Sequence, residues 1–208
     1  MMATTHALAG VVLAVVVAVV FPESAAATTP VPVLAAAALG GLFPDFDLYA
    51  GHRKTLHFPV YFSGLAVPAL VAAALSPSTL TLSVALFLAA AALHSVMDAF
   101  GGGLELKPWL GTSDRAVYSH YHNRWIRPRR WIRYDGAPED LFAAAMFAVP
   151  TLYAYDGTIQ LGVYAALGIS AVYVLVRKPM VVAAQTVVDA MPEHLVDRIP
   201  DRFVEDFR

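Results

Sequence analysis

The sequence predicts an all-α, polytopic helical membrane protein, both from its composition and from the grouping of its apolar residues. Of the 208 residues, 58% are hydrophobic and only 14% are charged, whereas soluble proteins carry about 25% charged residues. Cysteine is absent, which excludes disulfides, thiolate metal sites and cysteine nucleophiles. The apolar residues gather in about six hydrophobic segments, at residues 6–21, 28–43, 58–75, 80–97, 141–155 and 158–176.

The six segments differ in how well they fit a bilayer, because a membrane-spanning helix takes about 20 mostly apolar residues. The third, fourth and sixth meet this length well. The first, second and fifth are short or diluted by Thr and Pro, so one of them could be re-entrant. No Lys or Arg precedes the first segment, which favours a retained helix over a cleaved signal peptide. Pro68 and Pro150 predict kinks within two of the helices.

The basic residues predict the orientation in the membrane. If six helices alternate, all fourteen Lys and Arg residues lie on one side, in residues 44–57, 98–140 and the chain after 176. The loops on the other side, residues 22–27, 76–79 and 156–157, contain none. Basic residues in short loops are retained on the cytoplasmic side. We therefore expect a multi-pass inner-membrane protein with both termini and both long loops in the cytoplasm.

The chain is expected to form one membrane-embedded domain and a tail. The domain covers residues 1–178 and includes a cytoplasmic loop at 105–138 that is rich in Arg and aromatic residues. The tail, residues 179–208, mixes apolar residues with charges of both signs. This pattern predicts short amphipathic helices on the cytoplasmic face, broken near Pro192 and Pro200.

Side chains that could bind a metal crowd the predicted cytoplasmic face. His94 and Asp98 are four residues apart and on a helix would share one face, with Cβ atoms about 5–6 Å apart. Asp45 and Asp47 flank Phe46 and, in extended backbone, would point to the same side and could face one ion. Singly, such residues are often interfacial histidines or turn caps, but together they favour a metal site. Histidine with carboxylate suits Zn, Mn or Fe, while carboxylate and water alone would suit Mg.

Four motifs carry a resemblance to a known family. THALAG, GGLFPDFD, HRKTLHF and ALHSVMDAFGGG resemble, in the expected order, those of the YdjM-like family of inner-membrane metal-dependent hydrolases. The likeness covers roughly residues 1–110, and the family is distantly similar to the all-helical zinc-dependent phospholipase C. Phe58 is a departure, since the family tends to have Ser there. The resemblance implies a divalent ion, Zn first and Mn or Fe as alternatives, bound by His6, Asp45, His57, His94 and Asp98, with Asp47 and His52 close by as catalytic residues.

The chemistry expected of such a site is metal-assisted hydrolysis. A bound divalent ion lowers the pKa of its water toward about 7, and an unligated carboxylate such as Asp47 could accept the proton. The sequence contains no His-Glu-x-x-His, Gly-x-Ser-x-Gly or Gly-x-x-x-x-Gly-Lys motif. A zincin-type protease, a serine hydrolase and a P-loop enzyme are therefore unsupported.

A basic and aromatic stretch, RAVYSHYHNRWIRPRRWIRY, runs from Arg115 to Tyr134 and holds six Arg, two Trp and three Tyr. One interpretation is a segment at the membrane interface, where aromatic rings lie among headgroups and Arg contacts anionic lipid. A second is that Arg124, Arg127 and Arg130 also guide a phosphorylated substrate to the metal, since Arg binds phosphate bidentately. Whether His120 and His122 join the site stays open.

The function that the sequence predicts is a membrane-bound metal-dependent hydrolase at the cytoplasmic face, with a phosphoester such as a lipid headgroup as the favoured bond. One alternative is a non-enzymatic membrane scaffold or regulatory protein with a structural metal site. Another is a metal-ion transporter, which ranks last because transporters place ionisable residues near the bilayer midplane. The expected partners are membrane lipid and an anionic lipid or phosphorylated substrate, and no nucleic acid.

Overall fold

The computed structural model describes residues 1–48, 50–196 and 198, and most of these residues are helical. Three short 3-10 turns, at Phe43–Asp47, Asp98–Phe100 and Pro108–Leu110, extend or link the helices. Two antiparallel strands, β1 (Val117–Ser119) and β2 (Arg124–Ile126), pair Val117 with Ile126. The α-helices are α1 (Ala3–Val20), α2 (Pro22–Ala26), α3 (Pro30–Leu42), α4 (Pro59–Leu75), α5 (Thr79–Met97), α6 (Pro138–Ala154), α7 (Thr158–Ala190) and α8 (Glu193–Val196).

The all-α prediction is confirmed, but the described residues contain three candidate membrane spans and not six. Every predicted hydrophobic segment forms a helix, yet within the described part of the chain only Ala3–Val20, Thr79–Phe100 and Thr158–Ala190 are both long and apolar enough to cross a membrane. The remaining long helices α3, α4 and α6 have 13, 17 and 17 residues. At 1.5 Å per residue, the 13 residues of α3 span only about 20 Å, well below the roughly 30 Å hydrocarbon layer. The predicted sidedness stays a prediction.

Small residues let α1, α3 and α5 pack closely around one core. A Cβ atom on Gly10 of α1 would collide with the carbonyl oxygen of Ala37 in α3, and one on Gly41 would collide with the carbonyl oxygen of His6. Ala37 and Ala85 are completely buried between these helices. Because α3 lies this close to the other two helices, its C-terminal end reaches the polar side chains of α1 and α5.

The loop between α5 and α6 folds back onto the end of α5. The N–H groups of Arg129, Arg130 and Ile132 donate to carbonyl oxygens of residues 99, 101 and 100, at 2.8, 3.1 and 3.2 Å. The helix itself gives way to the Asp98–Phe100 turn and then to extended backbone at Gly101. The three hydrogen bonds hold residues 129–132 against the residues that directly follow Asp98.

The tail begins inside a helix. The boundary that we placed between residues 178 and 179 falls within α7, which continues to Ala190. The break that we expected near Pro192 separates α7 from α8. Pro200, the second expected break, lies outside the described residues. The short amphipathic helices predicted for residues 179–208 therefore correspond, over the first 12 residues, to a continuation of α7.

Candidate metal centre

Four segments of the chain bring their polar side chains to one point. The start of α1 provides His6, the turn after α3 provides Asp45, the loop before α4 provides His57, and the end of α5 provides His94 and Asp98. His6, His57, His94 and Asp98 are each at most 1% exposed. All five metal ligands implied by the family resemblance thus lie in one buried cluster.

Within this cluster, four residues offer donor atoms that all lie within 4.8 Å of one another: Asp45, His57, His94 and Asp98. The Nε2 atoms of His57 and His94 are 3.1 Å apart. Asp98 Oδ2 lies 3.3 Å from His57 Nε2 and 3.5 Å from His94 Nε2. Asp45 Oδ1 lies 3.5 Å from His94 Nε2.

These separations match a tetrahedral metal site. Zinc binds His nitrogen and carboxylate oxygen at about 2.0–2.2 Å, and ligands at the corners of a tetrahedron of that size are roughly 3.3–3.5 Å apart. Four of the six donor–donor separations run from 3.1 to 3.5 Å, and the other two are at most 4.8 Å. The donor set, two imidazoles and two carboxylates, also suits Zn, Mn or Fe. The side chains therefore fit a divalent ion in both chemistry and spacing.

The hydrogen bonds at the Nδ1 atoms of His57 and His94 determine whether the Nε2 atoms carry available lone pairs. His94 Nδ1 lies 2.5 Å from the carbonyl oxygen of Gly41, which can only accept, so His94 donates there. His57 Nδ1 lies 3.0 Å from Asp47 Oδ2 and donates to that carboxylate. A neutral ring that donates through Nδ1 presents a lone pair at Nε2. Both Nε2 lone pairs then face the carboxylate of Asp98, an arrangement of acceptors that a cation between them stabilises.

Asp47 lies on the opposite edge of the His57 ring from the other donors. It accepts from His57 and, at 3.2 Å, from His52 Nδ1. The N–H groups of Arg53 and Leu56 also donate to it, at 3.2 and 3.1 Å. Burial by itself would raise the pKa of Asp47, but these hydrogen bonds, led by those from His52 and His57, lower it well below the usual value. A carboxylate behind a ligand histidine orients the ring and raises its basicity, so this geometry favours a positioning role.

The expectation that Asp45 and Asp47 face one ion is wrong. It assumed extended backbone, but both residues lie in the 3-10 turn Phe43–Asp47, in which Pro44 is the second residue. With three residues per turn, side chains two positions apart point in different directions. Asp45 consequently faces His94, while Asp47 faces His57 from behind.

His6 lies beside the four donors and contacts one of them. Its Nε2 atom is 3.0 Å from Asp98 Oδ1, and its ring stacks on that of His94 with centroids 3.7 Å apart. The Met1 amino group donates to the same oxygen at 2.9 Å. His6 therefore orients Asp98 and His94 in this structure, and its role as a direct ligand stays a prediction.

A cavity of about 510 Å³ opens against the cluster. Asp45, His52 and Arg53 line it at the metal end. One face of α7 lines another wall through Ile169, Tyr173 and Arg177. The side chain of Asp45 is 23% exposed, in contrast to the fully buried histidine ligands. The donor group is therefore accessible from one side, through Asp45.

Arg53 is the residue of this site that sequence reasoning missed. It is 6% exposed, and its Nη1 donates to the carbonyl oxygen of Gly102 at 2.8 Å. Its Nε lies 3.3 Å from Asp98 Oδ2. The only sequence signal was a basic pair, Arg53-Lys54, between two predicted histidines. Its contacts join residues 45 to 49 positions apart, which no local pattern reveals.

The three arginines predicted to bind substrate do not reach the cavity. Arg127 pairs with Asp114 at 3.0 Å, and both side chains are exposed. Arg130 donates to the carbonyl oxygens of Gly111 and Ser113. Arg124 is exposed on β2. None of the three is among the cavity-lining residues, so their predicted role has no support from position.

His120 and His122, whose participation was left open, lie apart from the four donors. His120 Nε2 lies 2.6 Å from the carbonyl oxygen of Lys54, and His122 Nδ1 lies 2.9 Å from Ser119 Oγ. Neither belongs to the donor group.

Comparison of the whole chain with models of protein families, with curated proteins and with solved structures finds no match.

Proposed function

We propose that this protein is a membrane-bound, metal-dependent hydrolase of the YdjM-like family, with its site at the cytoplasmic membrane face. The observation that carries the proposal is the buried meeting of His57 Nε2, His94 Nε2 and Asp98 Oδ2, which lie 3.1 to 3.5 Å from one another. When both rings are neutral and carry their hydrogen on Nδ1, the two Nε2 atoms and the carboxylate oxygen all act as acceptors, and a cation bound between them stabilises the arrangement. The cavity beside Asp45 supplies the space for a substrate that a purely structural metal site does not need.

A bound divalent ion would supply a Lewis acid and a water whose pKa is lowered toward about 7. The residues of this chain perform the remaining tasks. His57 and His94 are fixed in orientation by Asp47 and by the Gly41 carbonyl oxygen. His52, whose side chain is 31% exposed at the cavity, is placed to exchange a proton with water there. Asp45 provides the side of the donor group that a substrate can approach.

The favoured substrate bond is a phosphoester. The family resemblance supports this class, and so does the presence of Arg53 among the cavity-lining residues, because guanidinium pairs with phosphate oxygens. The apolar residue Ile169, 61% exposed on α7, lines the same cavity. A headgroup ester of a membrane lipid would place its polar part at the donors and its apolar part along α7.

One observation favours a structural metal in a non-enzymatic scaffold. Structural zinc sites use four protein ligands, whereas catalytic sites use three and leave one position open. Asp45, His57, His94 and Asp98 make four. Under this alternative Asp45 is bound permanently to the ion, and under the hydrolase proposal it yields a position to water or substrate.

Hydrolysis of bis(p-nitrophenyl) phosphate by purified protein loaded with Zn, Mn or Fe tests the proposal. We expect the parent to turn over this substrate. His94→Ala should lose the activity, and adding metal to this variant should not restore it. Asp45→Asn should retain metal with altered turnover. Full metal occupancy without hydrolysis of this or any lipid phosphoester would favour the scaffold instead.

A further inference from the structure

Arg53 has a strained backbone conformation that its neighbours hold in place. Its φ angle is 58°, in the left-handed region that non-glycine residues avoid. Hydrogen bonds hold it there from both sides, since its N–H donates to Asp47 at 3.2 Å and its carbonyl oxygen accepts from Tyr118 N–H at 2.9 Å. Strained backbone that the surroundings enforce is concentrated at functional sites.

The strained backbone directs a buried guanidinium to the metal end of the cavity. Nη1 is used by the carbonyl oxygen of Gly102, and Nε is buried without a hydrogen bond, 3.3 Å from Asp98 Oδ2. Nη2 has no hydrogen-bond partner among residues 1–48, 50–196 and 198. Arg53 lines the cavity together with Asp45 and His52. A guanidinium edge is therefore left available beside the donor group.

We propose that Arg53 is the substrate-binding residue of this site, and that it holds one oxygen of a phosphate or phosphoester whose other oxygen faces the metal position. This assignment rests on the proposed function and specifies its substrate as an oxyanion. A buried guanidinium presents a fixed fork that matches phosphate geometry, and its Nη2 edge, which neither Asp98 nor the Gly102 carbonyl oxygen occupies, is where a phosphate oxygen would bind. Arg53 thereby takes the role that the sequence suggested for Arg124, Arg127 and Arg130.

Arg130 is a matched control for Arg53. It also has a positive φ angle, 55°, and a buried Nε atom without a hydrogen bond. It also donates to backbone carbonyl oxygens, those of Gly111 and Ser113. It differs in lying outside the cavity. A comparison of the two arginines thus separates the effect of position from the effect of removing a left-handed, backbone-bound arginine.

The test uses Arg53→Gly, Arg53→Lys and Arg130→Gly in the full chain. Glycine adopts the positive φ angle without strain, so the two glycine variants remove the side chain and keep the backbone favourable. Lysine keeps the charge but loses the fork. For each zinc-loaded protein, calorimetry measures the affinity for inorganic phosphate and for imidazole, an uncharged metal ligand, and elemental analysis measures zinc content.

We expect phosphate to bind about 10- to 100-fold more weakly to Arg53→Gly, the loss of one charge-assisted contact. Arg53→Lys should lose several-fold, and Arg130→Gly should match the parent. Imidazole affinity and zinc content should be the same in all four proteins. If Arg53→Gly does not fold, the Lys variant decides, because parental phosphate affinity there would overturn the assignment.

Equal phosphate affinity in Arg53→Gly and the parent would overturn the proposal. A parallel loss of imidazole affinity or of zinc would also overturn it, because Arg53 would then act by holding Asp98. A parent protein that hydrolyses no phosphoester, yet loses phosphate affinity only in the Arg53 variants, would remove the proposed reaction and keep this assignment. The two failures are therefore distinguishable.

Discussion

His57 and His94 point their Nε2 atoms at each other across 3.1 Å, and each ring is anchored at its far edge by an acceptor. Asp47 anchors His57 and the carbonyl oxygen of Gly41 anchors His94. In neutral rings that carry their hydrogen on Nδ1, both Nε2 lone pairs face the same small space as Asp98. The hydrogen bonds from the surrounding residues thus fix both rings through Nδ1 and leave both Nε2 atoms available to bind a metal ion.

Asp47→Asn separates a positioning role from a catalytic one. As a residue that orients His57, Asp47 should affect metal binding, and loss of such a partner typically weakens metal affinity about 10- to 100-fold. We expect that loss in a zinc competition titration, with the helical circular dichroism unchanged. If Asp47 were instead the base predicted from sequence, the variant would bind zinc as the parent does and lose only turnover.

Gly41→Ala tests the close approach of α3 to α1. The new methyl group would meet the backbone of His6, and relieving that contact moves the Gly41 carbonyl oxygen away from His94. We expect a loss of about 1–3 kcal/mol in stability, measured by thermal unfolding, together with weaker zinc binding. Gly64→Ala is the control, because no atom lies within 4 Å of its new methyl group. The Gly64 variant should gain about 0.5–1 kcal/mol.

Asp135 provides a pH-dependent contribution to stability outside the metal centre. It accepts from Tyr173 and forms an ion pair with Arg177 at 2.8 Å. Burial would raise the pKa of Asp135, but the hydrogen bond and charge of Arg177 outweigh burial and lower the pKa below 3.8. A lowered folded-state pKa stabilises the fold above the unfolded-state pKa and loses that effect as the pH falls through the folded value.

The parent should therefore melt above Asp135→Asn by a constant margin near neutral pH, and this margin should shrink below about pH 4. Melting temperatures measured from pH 7 to pH 3 check this. Asp114→Asn removes an exposed pair with Arg127, which contributes about 0–1 kcal/mol, and should change little at any pH. A margin for Asp135→Asn that grows toward low pH would contradict the assignment.

The basic loop should be dispensable for chemistry on a soluble substrate. Arg124, Arg127 and Arg130 lie outside the cavity, so replacing Arg124 and Arg127 by Ala and Arg130 by Gly, which tolerates the positive φ angle there, should leave kcat and KM for bis(p-nitrophenyl) phosphate within about two-fold. Steady-state kinetics of the triple variant measures this. A large rise in KM would restore the substrate-binding role that the sequence predicts for them.

Local patterns predicted the parts of the site that depend on one element. His94 and Asp98 lie four residues apart at the end of α5, and the pairing follows from helix geometry alone. The different directions of Asp45 and Asp47 were missed because a 3-10 turn replaces the extended backbone that their spacing suggested. Arg53 was missed because its contacts with Asp98 and Gly102 depend on how distant segments pack.

Composition predicted where the apolar helices lie but not how long each one is. The six apolar segments were found from composition, because burial and lipid both require apolar residues. Which of them are long enough to span depended on where proline and the turn residues end each helix, as Pro30 begins α3 and the turn at Phe43 ends it after 13 residues. Hydropathy alone does not locate the first and last residues of each helix.

The metal content of the detergent-purified protein tests the central claim most directly. The parent and a His94→Ala/Asp98→Asn variant would be reconstituted with Zn, Mn, Fe and Mg, and analysed for bound elements beside a circular dichroism spectrum of each. We expect about one divalent ion per parent chain and its loss from a variant that stays helical. A parent that binds none of the four metals, or a variant that retains them fully, would contradict the central claim.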